Sequence, residues 1–304
     1  MFLSSSFNRW LEAQGLTLPP PNTPSRALAQ AWGGESSALL SRSTFSVARV
    51  LAALWVFLCH SFYSVHYYYG FLSVVVFFFI SGYGMCLTGS RSRALVRLPR
   101  FIAVYFFFSV FYYLGHGSFH YPTSWFILVY SCLMVLFYFF GRSLLSFTLA
   151  FLSFVFFLFI LDFHFNYLVC PFGFLYGVYV YRCPRISFSP YLALFLYCIF
   201  LFVLFFDRPF PFYPVFLIPF FVRLFFGFCS WSILYPLSRF ALLVFPFFSL
   251  HCWFLTFFDS TWTMGLRGQS VSGAFLSFLL SFVGAFFLYR FVPIFSKKKF
   301  FIFK

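Results

Sequence analysis

The chain has 304 residues, of which 63% are hydrophobic and only 8% are charged. Soluble domains carry about 25% charged residues, so this composition excludes an ordinary soluble enzyme and is typical of a polytopic membrane protein. A net charge of +15 would suggest nucleic-acid binding in a soluble protein. Here the lysines and arginines stand mostly between apolar runs, where they orient helices and meet anionic lipids, so nucleic acid is not an expected partner.

The first 44 residues are polar and contain a run of three prolines at positions 19–21. They lack the short apolar core and the cleavage pattern of a secretory signal. We expect residues 1–44 to form a flexible cytoplasmic segment, residues 45–296 to form the transmembrane domain, and residues 297–304 to form a basic cytoplasmic tail.

Apolar runs from residue 45 onward predict an all-α, polytopic transmembrane helix bundle of about ten spans. The predicted limits are 45–64, 70–88, 101–115, 124–140, 144–161, 167–181, 188–206, 212–230, 240–258 and 271–291.

Arginine and lysine mark the connections on one side of this predicted bundle. Basic residues precede the first span, fill the second connection and follow the last span. The positive-inside rule and an even number of spans therefore predict that both termini are cytoplasmic. The basic residues used are Arg9, Arg26, Arg42, Arg91, Arg93, Arg97, Arg100, Arg142, Arg182, Arg185, Lys297, Lys298 and Lys299.

The eight cysteines are scattered in or beside apolar segments, and none forms a CxxC pair. They are interpreted as small buried hydrophobic residues, and neither a metal site nor a redox site is predicted. His116 and His120 have a spacing that suits a metal on a helix, but the glycine between them argues against that helix.

Two ionisable residues, Arg49 and His60, interrupt the first predicted span. An eleven-residue step is three helical turns plus about 20°, so both side chains fall on one helix face, about 16 Å apart along the axis. A central arginine costs about 2.5–3.5 kcal/mol on insertion scales, so ionisable residues inside a span indicate a functional site by default.

The order of these motifs resembles that of the membrane-bound acyltransferase-3 family, which O-acetylates O-antigens, exopolysaccharides and other surface glycans. Arg49 and His60, an arginine and a histidine separated by ten residues, match the first helix of that family. Residues 70–83, ending FFFISGY, resemble the second helix, and residues 97–105 (RLPRFIAVY) resemble the following RxxRIxPxY block. Residues 124–128 (SWFIL), 172–177 (FGFLYG) and 248–251 (FSLH) are similar to later elements. Ser46 and Val75 stand where the family often has acidic residues.

The resemblance implies an integral membrane O-acetyltransferase in the inner (plasma) membrane of a bacterium. It would move an acyl group, most often acetyl, from cytoplasmic acyl-CoA to a hydroxyl of a cell-surface glycan or its lipid-linked saccharide precursor. Acyl-CoA is then a donor substrate, and no bound cofactor is expected. The oligomeric state is not readable from the sequence.

The catalytic residues implied are His60 and Arg49. Burial in the membrane disfavours a charged imidazolium, which keeps His60 neutral and able to remove the acceptor's proton, since an alcohol is a poor nucleophile. Alternatively, His60 attacks the thioester itself and carries the acyl group. Arg49 would bind a donor phosphate or orient His60, or else act as a snorkelling anchor.

Arg97 and Arg100 are the predicted donor clamp, since basic side chains suit the phosphates of CoA, although they equally suit lipid phosphates. The predicted site-lining residues are Ser81, Gly82, Tyr83, Tyr105, Trp125 and His251. For the Ser81–Gly82 pair, close helix packing is a competing interpretation, and for Trp125 an interfacial aromatic belt.

Two other classes remain open at the sequence level. A transporter or flippase would use Arg49 and His60 as an ion or proton relay, although no internal repeat of the kind typical of transporters is visible. A relative of the acyltransferases that has lost catalysis is the third class.

Overall fold

A computed structural model of the chain describes residues 40–61, 63–87, 92–116, 124–163, 168–205, 212–258 and 271–292. This part of the chain is all-helical and contains no strand, which confirms the predicted fold class. The α-helices longer than one turn are α1 (Arg42–Ser61), α2 (Tyr63–Leu87), α3 (Ser92–His116), α4 (Ser124–Phe140), α5 (Leu144–Ile160), α6 (Pro171–Arg182), α7 (Pro190–Phe205), α8 (Ile218–Cys229), α9 (Val244–Phe258) and α10 (Val271–Phe291).

Three shorter helical segments complete the described structure. A single α-turn covers Pro184–Ser187, and 3-10 helices cover Tyr213–Leu217 and Ser232–Leu242. The long 3-10 helix occupies a segment that the hydropathy pattern assigned partly to a connection and partly to the ninth span. Pro236 lies inside it and lacks the backbone N–H that a regular α-helix needs, which favours the tighter turn.

Three of the described segments are long and apolar enough to cross a membrane, namely Ser43–Ser61, Gly70–Leu87 and Ser272–Phe291. A fourth span is present if Tyr213–Cys229 and Ser232–Leu242, which bend by 101° at their junction, cross together. Other apolar helices are shorter; α4 and α5 have 17 residues each, which at 1.5 Å per residue reach about 25 Å against a hydrocarbon core of about 30 Å. The chain is therefore a membrane protein by helix length and composition.

Helix α2 is the centre of the bundle. Of its most apolar 18-residue window, 72% is buried, against 22% for the window of α10. Its main partner is α6, where Gly173 and Gly177 form a GxxxG step whose missing side chains let the backbones approach. A Cβ atom at Gly173 would overlap the carbonyl of Val75, and one at Gly177 would overlap the carbonyl of Phe79. Close glycine-mediated contact therefore sets the distance between α2 and α6.

Basic side chains cap helices at one end of the bundle. Arg182, at the end of α6, donates a hydrogen bond of 2.7 Å to the carbonyl of Gly141, just after α4. Arg223 of α8 donates to the carbonyl of Phe188, and its guanidinium lies 5.1 Å from the centre of the Phe188 ring. Cations suit the negative ends of helices, so these contacts satisfy carbonyls that the helices leave open. We call this end of the bundle, which also holds the start of α1, the basic end.

Candidate functional site

Helices α1 and α9 bring together two histidines that are distant in sequence. The ring centres of His60 and His251 lie 5.1 Å apart. Phe57, one turn before His60, fixes this arrangement, because its ring packs 5.9 Å from Phe247 of α9 and 5.4 Å from Phe278 of α10. Edge-on and tilted aromatic contacts of this kind define the relative rotation of neighbouring helices. The apolar face of α1 therefore positions His60.

Cys252 completes a cluster with the two imidazoles. Its Sγ atom lies 3.2 Å from Nε2 of His251 and 3.6 Å from Nδ1 of His60. His251 and Cys252 are fully buried, at 1% and 0% exposure, whereas His60 is half-buried. We call His60, His251 and Cys252 the histidine–cysteine cluster; their three ligand-type atoms all lie within 4.8 Å of one another.

The protonation of His251 follows from its backbone contact. Its Nδ1 lies at hydrogen-bond distance from the carbonyl of Phe248, one turn earlier in α9. A carbonyl only accepts, so Nδ1 carries the proton and Nε2 presents a lone pair toward Cys252. A neutral imidazole held by a carbonyl can accept a proton or bind an electrophile at Nε2. The cluster thus holds one oriented imidazole, one thiol and one partly accessible imidazole.

Arg49 occupies the same helix as His60 but not the same cluster. It is an exposed residue of α1, three turns from His60, and this separation of about 16 Å is too long for direct contact between the two side chains. Both interpretations of Arg49, a ligand of donor phosphate and a snorkelling anchor, remain predictions.

Arg97 and Arg100 lie one turn apart in the first part of α3, on either side of Pro99. Their side chains are outside the part of the structure that is described. The predicted donor clamp is therefore untested.

The predicted lining residues of α2 lie far from the histidine–cysteine cluster. The ring of Tyr83 stacks 4.9 Å from Phe45, which precedes His60 by fifteen positions, or about 22 Å along α1. A Cβ at Gly82 would overlap the backbone carbonyl of Phe174, so Gly82 serves the close contact of α2 with α6. Ser81 is half-buried beside it. These positions belong to the basic end and to helix packing.

Tyr105 and Trp125 are both half-buried. Tyr105 lies edge-on to Phe106, at 5.6 Å. Trp125 lies beside Phe126, and the ring of Phe126 lies 5.4 Å from that of Phe248. The carbonyl of Phe248 is the group that orients His251. Trp125 is thus at the level of the cluster but separated from it by two phenylalanine rings.

Two residues that the sequence analysis did not single out are prominent in the structure. The sequence analysis interprets Cys252, like the other cysteines, as a small buried hydrophobic residue. Its position directly after His251 is a signal, because a histidine and a cysteine side by side are two potential metal ligands. Arg239 is buried, at 9% exposure, in the 3-10 helix Ser232–Leu242. Neighbouring residues of that helix, Leu237 and Phe240, pack with Val50 of α1 in one apolar cluster. A buried arginine beside α1 is costly unless it serves a function, and hydropathy alone does not reveal its burial.

An apolar cavity of about 380 Å³ lies next to α9, between α3 and α10. Leu250 and Trp253, the neighbours of His251 and Cys252, are among its lining residues, together with Phe107 and Gly284. Its walls are hydrocarbon and aromatic, which suits an acyl or lipid chain more than a sugar.

Four further histidines, His66, His116, His120 and His164, stand in or beside the connections on the side opposite the basic residues. The side chains of His66 and His116, and the whole of His120 and His164, are outside the described residues. For the His116–His120 pair, the glycine between the two residues therefore remains the argument against a metal site.

Comparison with family models, with curated proteins and with solved structures finds no match to this chain. The resemblance to the acyltransferase-3 family therefore depends on the motifs themselves, and membership of the family stays a prediction.

Proposed function

We propose that the protein is an integral membrane acyltransferase that transfers an acyl group, in the first instance acetyl, from acyl-CoA to a hydroxyl of a glycan or a lipid-linked saccharide. The observation that supports this most directly is the meeting of His60 and His251. Both residues belong to motifs of the acyltransferase resemblance, and no feature of local sequence requires them to approach each other. Their approach within an apolar bundle is expected if they share a site.

In the proposed mechanism, His60 removes the proton of the acceptor hydroxyl as the oxygen attacks the thioester carbonyl. The thiolate of CoA leaves and takes the proton from the His60 imidazolium, which returns His60 to its neutral form. His60 is suited to this role because it is the half-buried member of the cluster and remains reachable. His251 holds its Nδ1 proton on the Phe248 carbonyl and so presents a fixed Nε2 to the cluster. The alternative, in which His60 carries the acyl group, uses the same geometry.

The donor would be held at the basic end. Arg49, Arg97 and Arg100 are the proposed phosphate ligands, and buried Arg239, on the 3-10 helix beside α1, is added to them from the structure. The pantetheine arm of CoA is long and flexible, so one donor can place its phosphates near Arg49 and its thioester near His60, about 16 Å farther along α1. Guanidinium groups suit phosphate oxygens by geometry as well as charge.

The proposed topology remains about ten spans with both termini in the cytoplasm of a bacterium. The hydrogen bond from Arg182 to the Gly141 carbonyl supports it, because it joins two predicted cytoplasmic connections at the same end of the bundle. The acceptor would then approach from the opposite end, where α1 ends beyond His60.

The test compares the wild type with His60→Ala, at equal membrane insertion, in the transfer of label from acyl-CoA to envelope glycan. Loss of a general base lowers the rate by about 10²–10⁴-fold, so we expect His60→Ala to be nearly inactive. Leu58→Ala, which truncates an exposed side chain two positions before His60 on α1, is the matched control and should keep full activity. Equal labelling by the wild type and His60→Ala would refute the role of His60.

A transporter is the second candidate, and the short distances within the histidine–cysteine cluster favour it independently. Imidazole rings 5.1 Å apart can pass a proton between them, as intramembrane relays do. If no acyl transfer is found for the wild type, while a pH gradient drives solute flux that His60→Ala abolishes, the transporter replaces the acyltransferase.

A further inference from the structure

The histidine–cysteine cluster has the donor set and the spacing of a metal site. A metal bound by sulfur at about 2.3 Å and by nitrogen at about 2.0–2.1 Å places a sulfur and a nitrogen ligand about 3.5–3.8 Å apart, and two nitrogen ligands about 3.3–3.6 Å apart, for tetrahedral or trigonal angles. The Sγ of Cys252 lies 3.6 Å from one imidazole nitrogen and 3.2 Å from the other. The two sulfur–nitrogen distances are therefore close to those of a bound ion. The three ligand atoms lie within 4.8 Å of one another, so the two imidazoles need to approach by at most about 1.5 Å to share one ion.

The backbone contact of His251 prepares its ring for coordination. Metal-bound histidines almost always donate their second N–H to a carbonyl or carboxylate, which fixes the tautomer and the direction of the lone pair. Nδ1 of His251 donates to the Phe248 carbonyl, and the lone pair of Nε2 faces Cys252.

The charges of the residues in and around the cluster determine which cation it favours. Among the described residues the acidic side chain is Asp162, which is exposed just beyond α5. The cluster therefore offers one negative charge, the thiolate of Cys252. A monovalent cation leaves the complex neutral, whereas a divalent one leaves a net positive charge in an apolar bundle, which is costly. Thiolate and imidazole together suit Cu⁺ and Zn²⁺, and the charge balance favours Cu⁺.

We propose that His60, His251 and Cys252 form a three-coordinate site for Cu⁺. Binding releases the thiol proton of Cys252 to solvent, and the oxidation state of copper does not change. The ion enters from the side of His60, the half-buried ligand. This site does not depend on the acyltransferase proposal. The two are linked by His60, because a neutral imidazole that binds copper through Nδ1 carries its proton on Nε2 and has no lone pair left to act as the base.

The experiment uses the full chain, purified in detergent under anaerobic conditions, and titrated with Cu⁺ in the presence of a strong Cu⁺ chelator. The chelator prevents isolated thiols from taking up copper. We expect the wild type to remove one Cu⁺ per chain and Cys252→Ser to remove none. His251→Gln, which keeps a polar side chain of similar size while removing the imidazole ligand, should weaken binding at least tenfold.

Cys170→Ser is the matched control. Cys170 is as fully buried as Cys252, but its Sγ lies 3.7 Å from the carbonyl of Phe71, outside the cluster. It should bind Cu⁺ like the wild type. X-ray absorption at the copper edge should then show one sulfur and two nitrogen neighbours.

Three results would overturn the proposal. They are equal Cu⁺ uptake by the wild type and Cys252→Ser, no uptake by a monodisperse wild-type sample, and tight retention of Zn²⁺ without Cu⁺. If Cys252→Ser does not yield folded protein, His251→Gln and the absorption spectrum of the wild type decide the matter.

Discussion

Gly82 and Gly84 allow a sharp test of what α2 does, because they share a helix and differ in their surroundings. A Cβ at Gly82 would overlap the backbone carbonyl of Phe174, which cannot rotate away, so α2 and α6 must separate. A Cβ at Gly84 would meet nothing within 4 Å. The same substitution, glycine to alanine, should therefore have opposite effects two residues apart.

The magnitudes follow from the two environments. Overpacking a tight contact lowers the free energy of unfolding by about 1–3 kcal/mol. Gly82→Ala should fall in the upper part of that range, because the added Cβ meets a backbone carbonyl of another helix. Alanine in an open helical position gains roughly 0.5–1 kcal/mol over glycine, because it reduces the conformational entropy of the unfolded chain. The free energies of unfolding of Gly82→Ala and Gly84→Ala should thus differ by about 2–4 kcal/mol, a factor of at least ten in the unfolding equilibrium.

The assay is thermal or denaturant unfolding of each variant in one detergent, followed by the acyl-transfer rate at a temperature where both are folded. Gly82→Ala should unfold more easily than the wild type, and Gly84→Ala less easily. If Gly82→Ala is as stable as the wild type but loses activity, Gly82 lines the site and the packing interpretation is wrong. If both variants lose stability equally, the close approach of α2 and α6 is not as described.

Three further outcomes are expected. Phe57→Ala should destabilise the protein by about 3–5 kcal/mol, because it removes a buried ring between α9 and α10, whereas Leu58→Ala, at an exposed position, should cost far less in the same unfolding assay. If buried Arg239 binds donor phosphate, Arg239→Gln should raise the KM for acyl-CoA about tenfold and leave kcat nearly unchanged; an unchanged KM would remove Arg239 from the donor site. Cu⁺ should inhibit acyl transfer by the wild type, and a chelator should restore it; inhibition of Cys252→Ser to the same degree would show that copper acts elsewhere.

Much of the helical framework could be predicted from hydropathy. The predicted limits 124–140 and 271–291 coincide with α4 and α10, because uninterrupted apolar runs between turn-forming residues leave little choice of helix ends. The 3-10 helix Ser232–Leu242 was not predicted. Its composition is as apolar as that of a span, and only its packing beside α1 and the bend of 101° distinguish it from one.

The residues of the candidate site were also only partly predictable from the sequence. His60 stands out in the sequence because an ionisable residue in an apolar run is costly, and the motif around it strengthened the prediction. Cys252 does not stand out, since a cysteine in a helix is an ordinary small hydrophobic residue until its neighbours are known. Arg49 lies three turns from His60 on α1, as their spacing in the sequence predicts, and its role in the site stays a prediction.

The sequence by itself determined that this chain is an all-helical membrane protein with its ionisable residues concentrated in a few motifs. That information is local: hydropathy, spacing and charge act along the chain, over a few helical turns at most. Only the tertiary structure decided which of those residues meet. His60 and Cys252 are 192 positions apart, and the packing of Phe57 against α9 and α10 places them 3.6 Å from each other. Long-range contacts depend on the shapes of the buried side chains and on the glycines that let helices approach, and neither can be read from a periodic pattern.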